Sequence, residues 1–126
     1  MQRIYDLRKE AIADGEPVLR EKSFEILLEK IEQKRPNRIL EIGVNRGLSG
    51  IAMLLKSSTS HLSGIEIDEQ KIKIARQNYQ NFGVSERAKI FQGDASEIIP
   101  ILTGEYDFIF LDGPKGHYYE FLILVW

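Results

Sequence analysis

Four carboxylates stand where short apolar runs stop. Arg38-Ile39-Leu40-Glu41-Ile42 runs into Gly43, and His61 to Ile67 carries Glu66 just ahead of Asp68. Ala88 to Gln92 runs into Gly93-Asp94-Ala95-Ser96, and Tyr106 to Leu111 stops on Asp112, with Lys115 three residues later. A carboxylate accepts from hydroxyls, attracts a cation or ligates a hard metal ion. A lysine held near a cation and shifted down in pKa takes a proton from a hydroxyl. On the residues alone, Asp112-Gly113-Pro114 is equally a turn closed by an Asx hydrogen bond, with Lys115 a solvated charge.

The first strand end continues as Gly43-Val44-Asn45-Arg46-Gly47-Leu48-Ser49 and opens onto a helical pattern. Glycines there let backbone approach a ligand, and a helix N-terminus offers unpaired N–H groups to an anion. The spacing is Gly-x-x-x-Gly, not the Gly-x-Gly-x-x-Gly expected against a pyrophosphate. A small anion such as an amino-acid carboxylate fits it better, and a plain tight turn is nearly as good a reading. Arg46 either pairs with such a carboxylate or is an exposed surface charge.

Glu66 lies 23 residues after Gly43, close to the offset of about 20 at which an acid reaches a ribose diol in nucleotide-binding βαβ units. An exposed strand-end carboxylate is the alternative; position and offset together favour the ribose. Asp94 precedes a helical pattern and has a helix cap as its competing role. A ligand with a ribose, a small carboxylate and a positive centre suits this acidic rim, and S-adenosylmethionine has all three. A dinucleotide's pyrophosphate would be repelled, which disfavours an NAD-type enzyme.

These strand ends need a scaffold. Arg3 to Ala13 and about Arg20 to Gln33 read as helices, the second with Phe24, Leu27, Leu28 and Ile31 on one stripe before Pro36. Beyond it, strands alternate with helices at Leu48 to Lys56, Asp68 to Phe82 and about Ser96 to Thr103, and Gly116 onward reads as the start of another helix. Such alternation predicts an α/β fold, a Rossmann-like doubly wound parallel sheet. The expectation is a single domain, with N-terminal helices over 1–36 and the core over 37–126.

Composition narrows the chemistry. With no cysteine and only His61 and His117, thiolate catalysis and histidine-rich metal sites are excluded. The net charge of −2 carries no basic surplus for non-specific nucleic-acid binding. Lys30, Lys34, Arg35 and Arg38 form at most a local patch at a helix end. The charged start lacks a signal peptide's apolar core, and no apolar run approaches the ~20 residues that span a bilayer, so no membrane partner and a cytoplasmic location are expected.

In order and spacing, ILEIGVNRGLSGIAM, GIEID, FQGDASEIIP and YDFIFLDGPKGHYYEF resemble the class I methyltransferases of the catechol and caffeoyl-CoA O-methyltransferase type. Within these the chain is similar to the bacterial branch that includes tRNA hydroxyuridine methyltransferases, over roughly Pro17 to Phe121. The resemblance implies strand order 3-2-1-4 and S-adenosylmethionine as methyl donor. It implies that Gly43, Gly47 and Ser49 hold the methionine end, with Glu41 at its edge, and that Glu66 takes the ribose hydroxyls. Asp94, Ala95 and Ser96 would flank the adenine. Asp112 would lie at the cofactor as a ligand to Mg²⁺, and Lys115 would be the catalytic lysine. The acceptor would be a hydroxyl-bearing small molecule or the hydroxyuridine of a tRNA.

The chain departs from the family by stopping before its last three strands and the Asp-Asn pair that completes the metal site. The sheet is therefore expected to be incomplete and the metal site partial. The fourth strand is expected to be an open edge, with self-association into a homo-oligomer there or through the apolar run Tyr118 to Trp126. A truncated homologue that binds cofactor without turnover is the alternative function.

Overall fold

The computed structural model describes residues 1–15, 18–115 and 118–125, the strand pair from residue 112 onward by its backbone. Two helices, α1 (Gln2–Ala13) and α2 (Glu21–Lys34), precede β1 (Arg38–Ile42), α3 (Leu48–Lys56), β2 (His61–Glu66), α4 (Glu69–Asn81), β3 (Ala88–Gln92), α5 (Ala95–Ile98), β4 (Phe108–Lys115) and β5 (Tyr118–Val125). The strands form one sheet in the order β3-β2-β1-β4-β5. β1 runs parallel to both β2 and β4, and β2 parallel to β3. The 3-2-1-4 order is thus the observed order of the parallel strands.

Local chemistry explains the elements. Phe24, Leu27, Leu28 and Ile31 are all buried on one face of α2. Its C-cap Arg35 turns left-handed at φ 42° and donates its N–H to the Ile31 carbonyl, which ends the helix ahead of Pro36. At the start of α4 the Asp68 carboxylate accepts from the N–H groups of Gln70 and Lys71, a side-chain N-cap. Gly83 ends the same helix at φ 73°.

Ile39 and Glu41 are fully buried and Leu40 is nearly so. Burial on both faces is what a central parallel strand requires. α3 inserts Ile51, Ala52, Met53 and Leu54 into the core, and each of its large apolar side chains contributes about 1.5–3 kcal/mol by leaving water. The far end of α3 is held by Arg87, whose guanidinium donates to the carbonyls of Leu54, Ser57 and Ser60. That satisfies the acceptors a helix C-terminus leaves open.

Four expectations are corrected. The helix expected from Ser96 to Thr103 is only the one-turn α5, followed by a 3-10 turn over Ile99–Ile101. Pro100 lies within that turn, and a proline lacks the N–H a continuing helix needs. The fourth strand does not stop at Leu111 but extends to Lys115. Nor is it an edge: β5 pairs with it antiparallel, from Phe108 opposite Val125 to Lys115 opposite Tyr118. The helix expected from Gly116 onward is therefore a strand over Tyr118–Val125, a run of aromatic, β-branched and leucine residues suited to a sheet. That pairing covers the fourth-strand edge at which self-association was expected. Gly116 and His117 lie outside the described residues. Among the described residues, no helix is long and apolar enough to cross a membrane.

Candidate functional site

The carboxyl ends of the parallel strands are laced together by backbone hydrogen bonds. Gly43, just past β1, donates its N–H to the Ile65 carbonyl of β2 at 2.9 Å. Gly93, just past β3, donates to the Glu66 carbonyl at 3.0 Å. On the other side of β1, Ile42 lies opposite Leu111 of β4, so Gly43 and Asp112 are the next positions on neighbouring strands. The order reversal between β1 and β4 brings the first loop and the Asp112 position to one place, as expected of a ligand crevice in an open α/β sheet.

The loop from Gly43 to Gly47 has an alternating backbone. Gly43, Asn45 and Gly47 have positive φ of 91°, 57° and 89°, while Val44 and Arg46 do not. Glycine adopts that region freely and asparagine tolerates it. Alternation of this kind is that of an anion-binding nest, but three of its amides are already taken here: Gly43 donates to the Ile65 carbonyl, Asn45 to Glu66 Oε1 and Gly47 to the Val44 carbonyl. Gly47 is also the N-cap of α3 and offers no side-chain hydrogen bond there, so the first amides of the helix supply the partial positive charge.

Glu66 is the hub. Its Oε1 accepts from the Asn45 N–H at 2.8 Å. Its Oε2 accepts from the N–H groups of Ile67 and Asp68, both at 3.0 Å. Three donors therefore fix a largely buried carboxylate at the tip of β2 and tie it to the glycine loop. A carboxylate has about four lone-pair sites, so acceptor capacity remains.

Glu41 is placed differently. It is fully buried, and its carboxylate lies behind the loop, against the glycine of α3. A Cβ built on Gly50 would stand 2.9 Å from Glu41 Oε1, 2.7 Å from Leu62 Cδ2 and 3.5 Å from the Tyr79 hydroxyl. Only glycine leaves room there for the buried acid. The Tyr79 hydroxyl is held well above its ordinary 10.0, first by burial and then by the charge of Glu41.

That shift has a sign. The folded state keeps the Tyr79 proton where the unfolded chain gives it up, so its contribution is constant below pH ~10 and declines above it. Against a Tyr79→Phe variant, wild type should lose up to about 1.4 kcal/mol of extra stability per pH unit in that alkaline range. Urea unfolding of the pair from pH 8 to 11.5 checks this; a difference that stays flat to the end contradicts it.

At the end of β3, Asp94 caps α5: its Oδ1 accepts from the Ser96 N–H at 2.8 Å and the Ser96 hydroxyl at 2.7 Å. Those two bonds, the hydroxyl first, lower its pKa from the ordinary 3.8. The capping role that competed for Asp94 in the sequence is therefore realised, with Asp94, Ala95 and Ser96 together at this corner. Ser49 lies in the first turn of α3, two residues past Gly47. Arg46 is half-buried and makes an ion pair with Asp14 at 3.7 Å, tying the loop to the end of α1. The side chains of Asp112 and Lys115 lie outside the described residues. Among the described residues, no three carboxylates or histidines come together as a metal cluster.

Several supports were not singled out from the sequence. Asn78 donates to the Arg46 carbonyl at 2.9 Å from α4. A Cβ on Gly64 would overlap the Val44 side chain, so this glycine lets the loop fold down onto β2. A glycine inside a strand is a known sign of close backbone approach, and for Gly64 that signal was available.

Comparisons with known proteins bear on the family. The family model described as O-methyltransferase matches residues 9–124. O-methyltransferase hkm8 from Aspergillus hancockii is 30% identical over 86 residues, 67% of this chain and 34% of that protein. Catechol O-methyltransferase from Sus scrofa is 31% identical over 94 residues, 70% of this chain and 50% of that protein. The chain thus spans half or less of these two relatives. Among solved structures, the S-adenosylhomocysteine-bound methyltransferase PaMTH1 from Podospora anserina superposes with a TM-score of 0.78 at 25% identity, over 88% of this chain and 48% of that one. With a family match across nearly the whole length, the chain belongs to the O-methyltransferase family.

Proposed function

We propose that the crevice between the glycine loop and Glu66 binds S-adenosylmethionine, and that the protein transfers its methyl group to the oxygen of a hydroxyl-bearing small molecule. The observation that carries this reading is Glu66, held by three N–H groups and joined through one of them to the glycine loop. Its remaining lone pairs suit the two ribose hydroxyls, while the glycine loop from Gly43 to Gly47 allows close backbone approach and the first amides of α3 at Ser49 suit the methionine carboxylate. Glu41 shapes the floor behind that loop. Asp94, Ala95 and Ser96 sit at the corner assigned to the adenine. The likeness to catechol O-methyltransferase and the lack of a basic surplus favour a small acceptor over tRNA.

Asp112, next to Gly43 by register, and Lys115 are assigned to the reacting end. In this reading Lys115 takes the acceptor's proton. The acceptor oxygen then attacks the sulfonium methyl in line, the carbon–sulfur bond breaks, and S-adenosylhomocysteine leaves. Holding the two reactants in line supplies much of the rate. Asp112 is the carboxylate assigned to a possible Mg²⁺, an ion that prefers near-octahedral oxygen ligation, and among the described residues no metal cluster forms. No step here runs through an ion.

Calorimetry with S-adenosylhomocysteine and with NAD, followed by radiolabelled methyl transfer to catechol and to hydroxyuridine-containing tRNA, tests the proposal. Binding of S-adenosylhomocysteine but not NAD, with label on catechol, is the expected result. Binding without turnover on either acceptor would leave the alternative, a cofactor-binding homologue. Binding of NAD alone would end both readings.

A further inference from the structure

Between α1, α2 and the glycine loop lies a cavity of about 30 Å³, lined by Arg8, Leu19, Phe24, Asn45, Arg46 and Ser49 among others. Its volume admits the end of a small polar group and excludes a nucleoside. Arg8 is the unusual member. One arm of its guanidinium donates from Nη2 to the Leu19 carbonyl at 2.6 Å, and its carbon centre lies 5.8 Å from the Phe24 ring centroid. Its Nε–H is buried and has no acceptor among the described residues. A guanidinium N–H taken out of water without a partner is unfavourable, and its planar fork is shaped for a carboxylate. The second guanidinium lining the cavity, Arg46, is paired with Asp14, which leaves the lining with a net positive balance facing the nest.

We infer that Arg8 anchors the carboxylate at the amino-acid end of the cofactor, reaching down from α1 onto the glycine loop. This rests on the cofactor reading above and adds a residue from outside the strand ends. Arg8 is held by its Leu19 bond with its buried Nε–H left over, so it meets the carboxylate already oriented. It thereby discriminates ligands that carry the amino acid from those with the nucleoside alone.

The test compares two ligands sharing the adenosine thioether, S-adenosylhomocysteine with its amino-acid carboxylate and 5′-methylthioadenosine without it. Titration calorimetry measures both on the full chain, on Arg8→Met and on Arg8→Lys. The expected result is at least a tenfold loss of S-adenosylhomocysteine affinity in Arg8→Met, partial recovery in Arg8→Lys, and 5′-methylthioadenosine affinity unchanged within twofold. The 5′-methylthioadenosine arm also reports that the variant is folded. Equal loss of both ligands would make Arg8 a structural staple and overturn the inference, as would an Arg8→Met affinity within twofold of wild type for S-adenosylhomocysteine. If neither ligand bound wild type, the cofactor reading itself would fail, and this inference with it.

Discussion

Gly47→Ala is expected to destabilise the protein by about 2–5 kcal/mol, the sum of two separable effects. The first is conformational: Gly47 sits at φ 89°, where an L side chain costs about 1–2 kcal/mol. The second is steric. A Cβ at that position would stand 2.9 Å from Tyr79 Cε1 and 3.3 Å from the Ala75 Cβ. Ala75 and Tyr79 are both buried on α4, so neither can move aside freely, and overpacking a filled site costs typically about 1–3 kcal/mol. Gly83→Ala is the control, because Gly83 has φ 73° and nothing within 4 Å of its would-be Cβ. It should lose only the conformational part, about 1 kcal/mol. Urea denaturation of both variants, followed by circular dichroism, reads the difference. Equal losses would show that contact with α4 is not what demands glycine at position 47. Because Gly47 also caps α3, the folded fraction of Gly47→Ala should bind S-adenosylhomocysteine more weakly as well.

The same residues show what a sequence does and does not carry. The ends of the first and third strands were legible because an apolar run that stops at Gly43 or Gly93 is a local pattern, and the offset from Gly43 to Glu66 is a count along the chain. The caps at Asp68 and Gly83 were legible for the same reason. What α4 does for the glycine loop was not. Tyr79 and Ala75 read as an apolar stripe, and nothing local says that this stripe packs against Gly47. Asn78 reaches the Arg46 carbonyl across 32 residues of sequence, a contact only the assembled fold creates. Arg8 holds the Leu19 carbonyl across 11 residues, again a contact made by the fold. At the other end, Gly113-Pro114 reads as a turn, yet β4 continues through it because a partner strand lies alongside. Pairing of that kind is decided between segments, not within one.

Glu66→Gln is the second large effect, and it follows from counting donors. Three N–H groups converge on two oxygens: Asn45 on Oε1, and Ile67 with Asp68 on Oε2. An amide has one acceptor oxygen and one NH₂ donor, so in either orientation its NH₂ faces an N–H. The favourable orientation keeps the oxygen on Ile67 and Asp68 and turns the NH₂ toward Asn45. The tie between β2 and the glycine loop is then lost. Hydrogen bonds to a charged group are worth about 1.5–3 kcal/mol, so protection of the Asn45 amide from exchange should fall about tenfold or more. The Gly93 N–H is an internal reference, because it bonds to the main-chain carbonyl of Glu66, which the substitution leaves in place. Its protection should not change. S-adenosylhomocysteine affinity should fall about 10–100-fold, since the ribose would lose a charged acceptor while the loop loses its anchor. Hydrogen exchange read by NMR separates the two consequences. Weaker binding with an unchanged Asn45 amide would mean that Glu66 touches the ligand but does not hold the loop. A looser Asn45 with unchanged affinity would remove Glu66 from the cofactor site altogether.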